Sequence, residues 1–270
     1  MLPDGTERSY SLLDPPSGSS SYIIAVKLER NGRGGSRYIH SLTPGEKVQL
    51  LEPRNNFELS TDSEPAIFIA GGIGITPIWC MMQERRAQGL PWQLIYACRS
   101  KADAVFYQEM ANEPFVSLHF DDENEGRPLD LLTIVSDAPD SAHLYCCGPI
   151  PMLEAFKTAV EGRPPHTVHV EYFSPTQEAA TQGGFTVHLA KSDRDIAVKP
   201  GQSILTALRN GGVDVPFSCE EGTCGACEVH VLSGTPDHRD AVLTEEEREA
   251  GETMMVCCSG SLSAVLTLDL

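Results

Sequence analysis

The 270-residue sequence predicts a multi-domain chain in which a partial antiparallel β-barrel leads into an α/β parallel-sheet domain and then a small α+β domain. Three observations carry this. Short strand-like runs joined by Gly/Pro turns occupy residues 1–60. Strand and helix patterns alternate through residues 61–173, which builds a parallel sheet covered on both faces. Small strands, one helix and a tight cysteine loop fill residues 185–270, after a polar Pro/Gly-bearing linker at 174–184.

In the first part, an Arg8-Ser-Tyr10-Ser11-Leu12 stretch precedes a strand-like run at 22–28 that includes Ala25, Val26 and Lys27. A glycine-rich loop follows at 31–36, with Arg33, Gly34, Gly35 and Ser36. Exposed N–H groups, a hydroxyl and cations suit a phosphate dianion, although most such loops are hairpin turns. Residues 44–50 read as a turn into a further strand.

The middle part opens with a buried-strand run at 66–70, then Gly71-Gly72-Ile-Gly74-Ile-Thr76-Pro77 and a helical stretch to Gly89. Thr76 suits the N-cap, Pro77 the first helical position and Gly89 the stop. Strands are expected at 93–98, 116–120, 142–146 and 168–173, and helices at 104–112 and from Ile150. Cys147-Gly148-Pro149 follows the third of these strands. In such sheets ligands bind at the carboxyl ends of the strands, where both glycine motifs fall. A glycine turn opening on a helix N-terminus is a pyrophosphate site by geometry and dipole. The bland alternative is a strand–helix turn with no ligand. Asp121 and Asp122 would disfavour a 2′-phosphate if near a ribose, or simply form a solvated acidic loop.

In the last part, strands are expected at 185–189, 195–198, 228–232, 254–257 and 265–269, with a helix from Ser203 to Asn210. Thr244 and Glu247 have capping-box form, so a short helix starts there.

Within this part lies Cys219-Glu-Glu-Gly-Thr-Cys224-Gly-Ala-Cys227, with Cys257 downstream. The C-x4-C-x2-C…C spacing is that of plant-type two-iron, two-sulfur (2Fe-2S) ferredoxins. Gly222, Gly225 and Ala226 leave room for backbone to wrap the sulfurs, and their N–H groups tune an anionic cluster. Structural zinc usually shows two C-x2-4-C knuckles, and only one such pair occurs here. Cys258 is a rival fourth ligand. In a strand it would point opposite to Cys257.

The formal net charge of −18 argues against nucleic acid and anionic membranes as partners. Residues 1–60 are balanced, whereas residues 185–270 carry fourteen acidic and six basic side chains. That suits docking on a basic patch of another protein, or solubility alone. Nine cysteines, no leader-like N-terminus and no long apolar run lead to an expectation of a reducing, cytoplasmic location.

Taken in order, these motifs resemble one family, the phthalate dioxygenase reductase type that includes vanillate O-demethylase reductases. The resemblance spans essentially the whole chain. It implies an FMN-binding barrel at 1–60, an NAD-binding domain at 61–173 and a β-grasp 2Fe-2S ferredoxin domain at 185–270. In that family roughly half a barrel precedes R-x-Y-S-L, so the barrel here is expected to be N-terminally incomplete. Arg8, Tyr10, Ser11, Leu12, Ala25, Val26 and Lys27 are then flavin contacts, with Gly34, Gly35 and Ser36 on its phosphate. Gly71, Gly72, Gly74, Thr76, Pro77, Cys147, Gly148 and Pro149 resemble the nucleotide motifs. Thr76, Cys147 and Phe173 would line the contact between nicotinamide and flavin. The family position supports Cys257 beside Cys219, Cys224 and Cys227 as cluster ligands.

The implied activity is that of an NAD(P)H-dependent reductase. Electrons pass from NADH through FMN to the 2Fe-2S cluster and on to a Rieske-type oxygenase. The alternative is a non-enzymatic 2Fe-2S electron-transfer module without functional flavin.

Overall fold

The structure is a computed structural model and describes residues 7–14 and 21–270. Residues 1–4, read above for a leader, lie outside them. The chain divides into two compact units, residues 10–173 and residues 174–270 together with 7–9.

The first unit begins with one antiparallel bridge, Leu12 opposite Ile24, and Leu13 N–H donates to Ile23 O at 2.9 Å. The strands expected at 22–28 and 44–50 join no ladder among the described residues. A strand is held by the N–H and C=O groups of its neighbours, and its own side-chain pattern does not supply them. Accordingly Tyr22, Ile23, Leu28 and Leu50 are exposed. The loop expected at 31–36 turns instead into helix α1 (Gly35–Ser41), with Gly34 as its N-cap at φ 95°. Only glycine enters that conformation at little cost.

From residue 66 the alternation of strand and helix holds. The elements are β1 (Ala66–Gly71), α2 (Ile75–Gln88), β2 (Trp92–Cys98), α3 (Tyr107–Met110), β3 (Val116–Phe120), α4 (Leu131–Asp137), β4 (His143–Cys147), α5 (Ile150–Ala159) and β5 (Val168–Glu171). The helix α4 was not foreseen, because its seven residues are too few to show a clear apolar period. Asp130 caps it by accepting from Thr133 N–H at 3.1 Å. The expected helix at 104–112 shrinks to the single turn of α3. The sheet order is β3-β2-β1-β4-β5, all parallel. β1 is buried along its whole length, as a central strand covered on both faces must be. Phe68, Tyr96, Tyr145, Ile75, Ile78 and Met82 are among the core residues packed over it.

The segment entering β1 is pinned by side chains. Tyr145 OH accepts from Ser60 N–H at 2.8 Å, and Arg85 Nη1 donates to Asp62 O at 2.8 Å. His143 Nε2 lies 2.8 Å from Asp62 Oδ2, and its Nδ1 lies 2.9 Å from His169 Nε2. Burial lowers His169 to about 4 and keeps it neutral, so it can serve as the donor to His143.

The second unit contains β6 (Phe185–Leu189), β7 (Arg194–Val198), α6 (Ile204–Asn210), β8 (Glu228–Ser233), β9 (Pro236–Asp237), α7 (Glu245–Ala250), β10 (Thr253–Met255), β11 (Gly260–Ser261) and β12 (Val265–Leu268). Its mixed sheet runs β10-β8-β12-β6-β7, with β12 parallel to β6 and the other pairs antiparallel. α6 buries Ile204, Leu205, Ala207 and Leu208 against this sheet. That is the β-grasp arrangement of small strands around one helix. Ser203 caps α6, and the capping box at Thr244 and Glu247 starts α7 as the sequence implied.

Candidate functional site

The carboxyl ends of β1 and β4 lie side by side, since Ala70 is in register with Cys147. This is where the strand order reverses, and it brings residues 71–77 beside residues 147–149. The two loops interlock without side chains. A Cβ on Gly71 would stand 2.6 Å from both Met152 Sδ and Pro149 Cδ. One on Gly74 would run into the carbonyl of Cys147. Gly72 sits at φ +54° with open space around it, and its carbonyl accepts from Tyr96 OH at 3.0 Å.

The helix starts two residues earlier than expected. Gly72–Gly74 forms a 3-10 turn, Gly74 is the N-cap, and no side chain caps the first turn of α2. Thr76 is therefore not the N-cap; it is buried, and its hydroxyl donates back to Ile73 O at 3.0 Å. Pro77 still falls in the first turn, where its missing N–H costs nothing. An uncapped fourteen-residue helix opening from a glycine turn presents N–H groups and positive dipole to an anion. These residues fit a dinucleotide pyrophosphate.

Cys147 is completely buried, and burial raises its thiol well above the ordinary range. It is a neutral packing residue at the strand end, without thiolate reactivity. Its partner in register on β5 is Glu171. Burial lifts Glu171 to about 7, and its Oε2 is buried without a hydrogen-bond partner. The sequence reading passed over this carboxyl. The available signal was an acidic residue closing a short strand of the parallel sheet. Phe173, two residues past the end of β5, is 40% exposed.

The flavin-contact candidates are only partly assembled. Tyr10, Ser11 and Leu12 meet the stretch containing Ala25, Val26 and Lys27 through the Leu12–Ile24 bridge. Val26 O lies 2.7 Å from His40 Nε2 on α1. Gly34, Gly35 and Ser36 form the start of α1, and Ser36 Oγ accepts from Glu29 N–H at 2.9 Å. Arg8 falls in the second unit, and its Nη1 donates to Glu7 O at 2.6 Å. The helix start flanked by Arg33 and Arg37 still suits the phosphate end of a flavin nucleotide.

The cysteine loop is well formed. Glu220, Gly222 and Gly225 all take positive φ, which curls the backbone around the sulfurs. Glu221 N–H and Thr223 N–H reach Cys219 Sγ at 3.3 and 3.4 Å, and Cys219 N–H reaches Cys224 Sγ at 3.5 Å. The thiols form a connected set. Cys219 is pulled down by hydrogen bonds from Cys224 and Cys257, and Cys227 by Cys257, while Cys224 and Cys257 are pushed up as the donors. Among the described residues no group of three or more His, Cys, Asp or Glu side chains closes on a single metal ion. Donor set, N–H groups and glycine curl all fit a two-iron cluster.

The choice between Cys257 and Cys258 rests on different ground from that expected. Both lie in a tight turn after β10, so strand alternation does not apply. Cys257 interacts with Cys219 and Cys227 as well as with its neighbour Cys258, whereas a Cβ on Gly222 would stand 2.5 Å from Cys258 Sγ. Cys258 therefore packs under the loop.

A nucleotide-type parallel sheet and a cysteine-bearing β-grasp unit in one chain define an iron–sulfur electron-transfer oxidoreductase. Residues 187–260 match the family model described as a 2Fe-2S iron-sulfur cluster binding domain. The chain is 52% identical over 272 residues to the phenoxybenzoate dioxygenase subunit beta of Ectopseudomonas oleovorans, covering 100% of this chain and 85% of that protein. It is 38% identical to the phthalate dioxygenase reductase of Burkholderia cepacia, again over 100% of this chain and 85% of the other. A solved phthalate dioxygenase reductase, described as a modular structure for electron transfer from pyridine nucleotides to [2Fe-2S], matches at TM-score 0.71 and 37% identity over 100% of this chain and 85% of that one. The chain belongs to the phthalate dioxygenase reductase family. It is a reductase whose redox groups are NADH, FMN and a 2Fe-2S cluster. No helix of the described residues is long and apolar enough to cross a membrane.

Proposed function

We propose that this chain is the reductase component of a Rieske-type oxygenase system, and that it works in the cytoplasm. The observation that carries the proposal is the presence in one chain of an uncapped glycine-turn helix at a parallel-sheet switch point and a four-thiol loop with inward N–H groups. The relatives named as dioxygenase components supply the partner class.

The functional division follows the sequence reading: flavin part at 1–60, nucleotide domain at 61–173, linker at 174–184 and ferredoxin domain at 185–270. Cys219, Cys224, Cys227 and Cys257 would hold the cluster. Gly71, Gly72, Gly74 and the start of α2 would hold the dinucleotide pyrophosphate, with Gly148 and Pro149 closing its other side. Tyr10, Ser11, Leu12, Ala25, Val26 and Lys27 would position the flavin, with Arg8 contributing and Gly34, Gly35 and Ser36 at its phosphate. When bound, FMN exchanges electrons singly or in pairs, which matches a two-electron donor to a one-electron cluster.

The protein's own residues prepare that contact. Thr76 is locked to Ile73 O, so the backbone behind the nicotinamide position is rigid. Buried Cys147 excludes water from the strand end. Glu171, the half-buried register partner of Cys147, is raised to about 7 by burial and so exchanges its proton near neutral pH. Phe173 offers an exposed ring at the end of β5. The acidic surface of the ferredoxin part suits docking on a basic face of the oxygenase.

Cofactor analysis tests this reading. Purified protein should contain about one FMN per two irons. Iron and sulfide without flavin would instead favour an electron-transfer module, and zinc in place of iron would overturn both.

A further inference from the structure

Directly behind the cysteine loop lies an ion pair, one member buried and the other partly exposed, that the electron path does not use. Asp240 is 0% exposed. Its Oδ2 accepts from Val242 N–H at 3.0 Å and Leu243 N–H at 2.8 Å. Arg248 on α7 reaches Asp240 O at 2.6 Å and stands 3.6 Å from Oδ2. Arg248 Nε also donates to Leu243 O at 3.1 Å. The second carboxylate oxygen, Oδ1, is buried without a hydrogen bond, 3.8 Å from His238 Nδ1, whose ring nitrogens are likewise unpartnered.

This turn is stitched to the cluster loop. Ala241 N–H donates to Gly222 O at 2.8 Å. A Cβ on Gly222 would stand 3.0 Å from Asp240 Cα as well as 2.5 Å from Cys258 Sγ. On its other side, Arg239 N–H donates to Ser259 Oγ at 3.2 Å, two residues from Cys257. The pair thus backs the loop that supplies three ligands and the turn that supplies the fourth.

We propose that the Asp240–Arg248 pair sets the reduction potential of the cluster, as well as bracing its loop. The inference rests on the four-cysteine ligand set. Asp240 is fully buried and is screened far less by solvent and salt than a surface charge, while the Arg248 side chain, 27% exposed, is screened in part. Reduction adds one negative charge to the cluster, so a carboxylate behind the loop opposes it and a guanidinium favours it. The members of the pair therefore act with opposite sign, which bracing alone does not predict.

The experiment is a spectroelectrochemical titration of the holoprotein, with the electron paramagnetic resonance spectrum of the reduced cluster. Asp240→Asn keeps an acceptor for the two N–H groups and leaves Arg248 uncompensated. At fixed poise its reduced-to-oxidised ratio should rise by roughly threefold or more. Arg248→Gln keeps donors for the two carbonyls and should lower the ratio by a similar factor, whereas Arg248→Lys should stay close to the parent. Shifts of the same sign in the first two variants, or full cluster content with no shift, overturn the proposal. If Asp240→Asn fails to retain iron, Arg248→Gln alone decides, and an unchanged or raised ratio overturns it. Failure of the ligand assignment looks different, because the parent protein would then lack the cluster spectrum.

Discussion

Each cluster cysteine is one of a coupled set, so removing one acts on a single cofactor. Cys224→Ser should abolish the resonance of the reduced cluster and cluster-dependent cytochrome reduction, while NADH still bleaches the flavin. Equal loss of both signals in a folded variant would put the cluster upstream of the flavin. Glu171 makes a different prediction. Burial raises its folded pKa to about 7, above its unfolded value, so its neutral form contributes stability that is complete at low pH. That contribution is lost as pH rises through about 7, up to an order of 3 kcal/mol when the carboxylate is forced to ionise. Denaturant titrations of Glu171→Gln and the parent should diverge in favour of the variant from about pH 4.5 to about 7 and stay apart above it. Parallel curves would mean that the carboxyl is solvated. The first three cysteines were legible because their close spacing marks a candidate ligand loop, whereas the choice between Cys257 and Cys258 was left open by spacing. Glu171 and Asp240 were not legible, because nothing in a sequence distinguishes a buried carboxyl from the many exposed ones.

At the scale of elements, the interlock of the β1 and β4 loops is the most exacting feature. Gly74→Ala puts a methyl group into the Cys147 carbonyl, which is backbone and cannot rotate away. The variant should lose roughly 1–3 kcal/mol of stability and bind NADH more weakly, as read by thermal melting and by nucleotide titration. Unchanged NADH affinity in a folded variant would place the pyrophosphate elsewhere. The glycine turns and the Thr244 capping box were readable because they are local devices whose hydrogen bonds close within a few residues. The early strands were read from the same kind of pattern, yet among the described residues they pair only at the Leu12–Ile24 bridge. A ladder depends on partners distant in sequence, and a local pattern carries no record of whether they are supplied.

For the whole molecule, the charge distribution separates the parts. The balanced residues 1–60 contrast with the acidic residues 185–270. Transfer to the oxygenase should therefore slow as salt rises from about 10 mM to about 150 mM, where the Debye length falls from roughly 30 to 8 Å. Reduction of the flavin by NADH should change much less over the same range. Stopped-flow measurement of both steps checks this, and equal salt sensitivity would remove the docking role from the acidic surface.

The sequence by itself determined the order of the parts, the cysteine spacing and some locally marked helix ends, such as the Gly89 stop of α2 and the capping box of α7. These follow from stereochemistry that acts over a few bonds. Only the tertiary structure decided that Cys257 joins the thiol set while Cys258 packs beneath Gly222, that Glu171 lies half-buried beside Cys147, and that Asp240 meets Arg248 behind the cluster loop. Those outcomes depend on burial and on contacts between residues far apart in the chain, where desolvation and packing set the chemistry of a side chain.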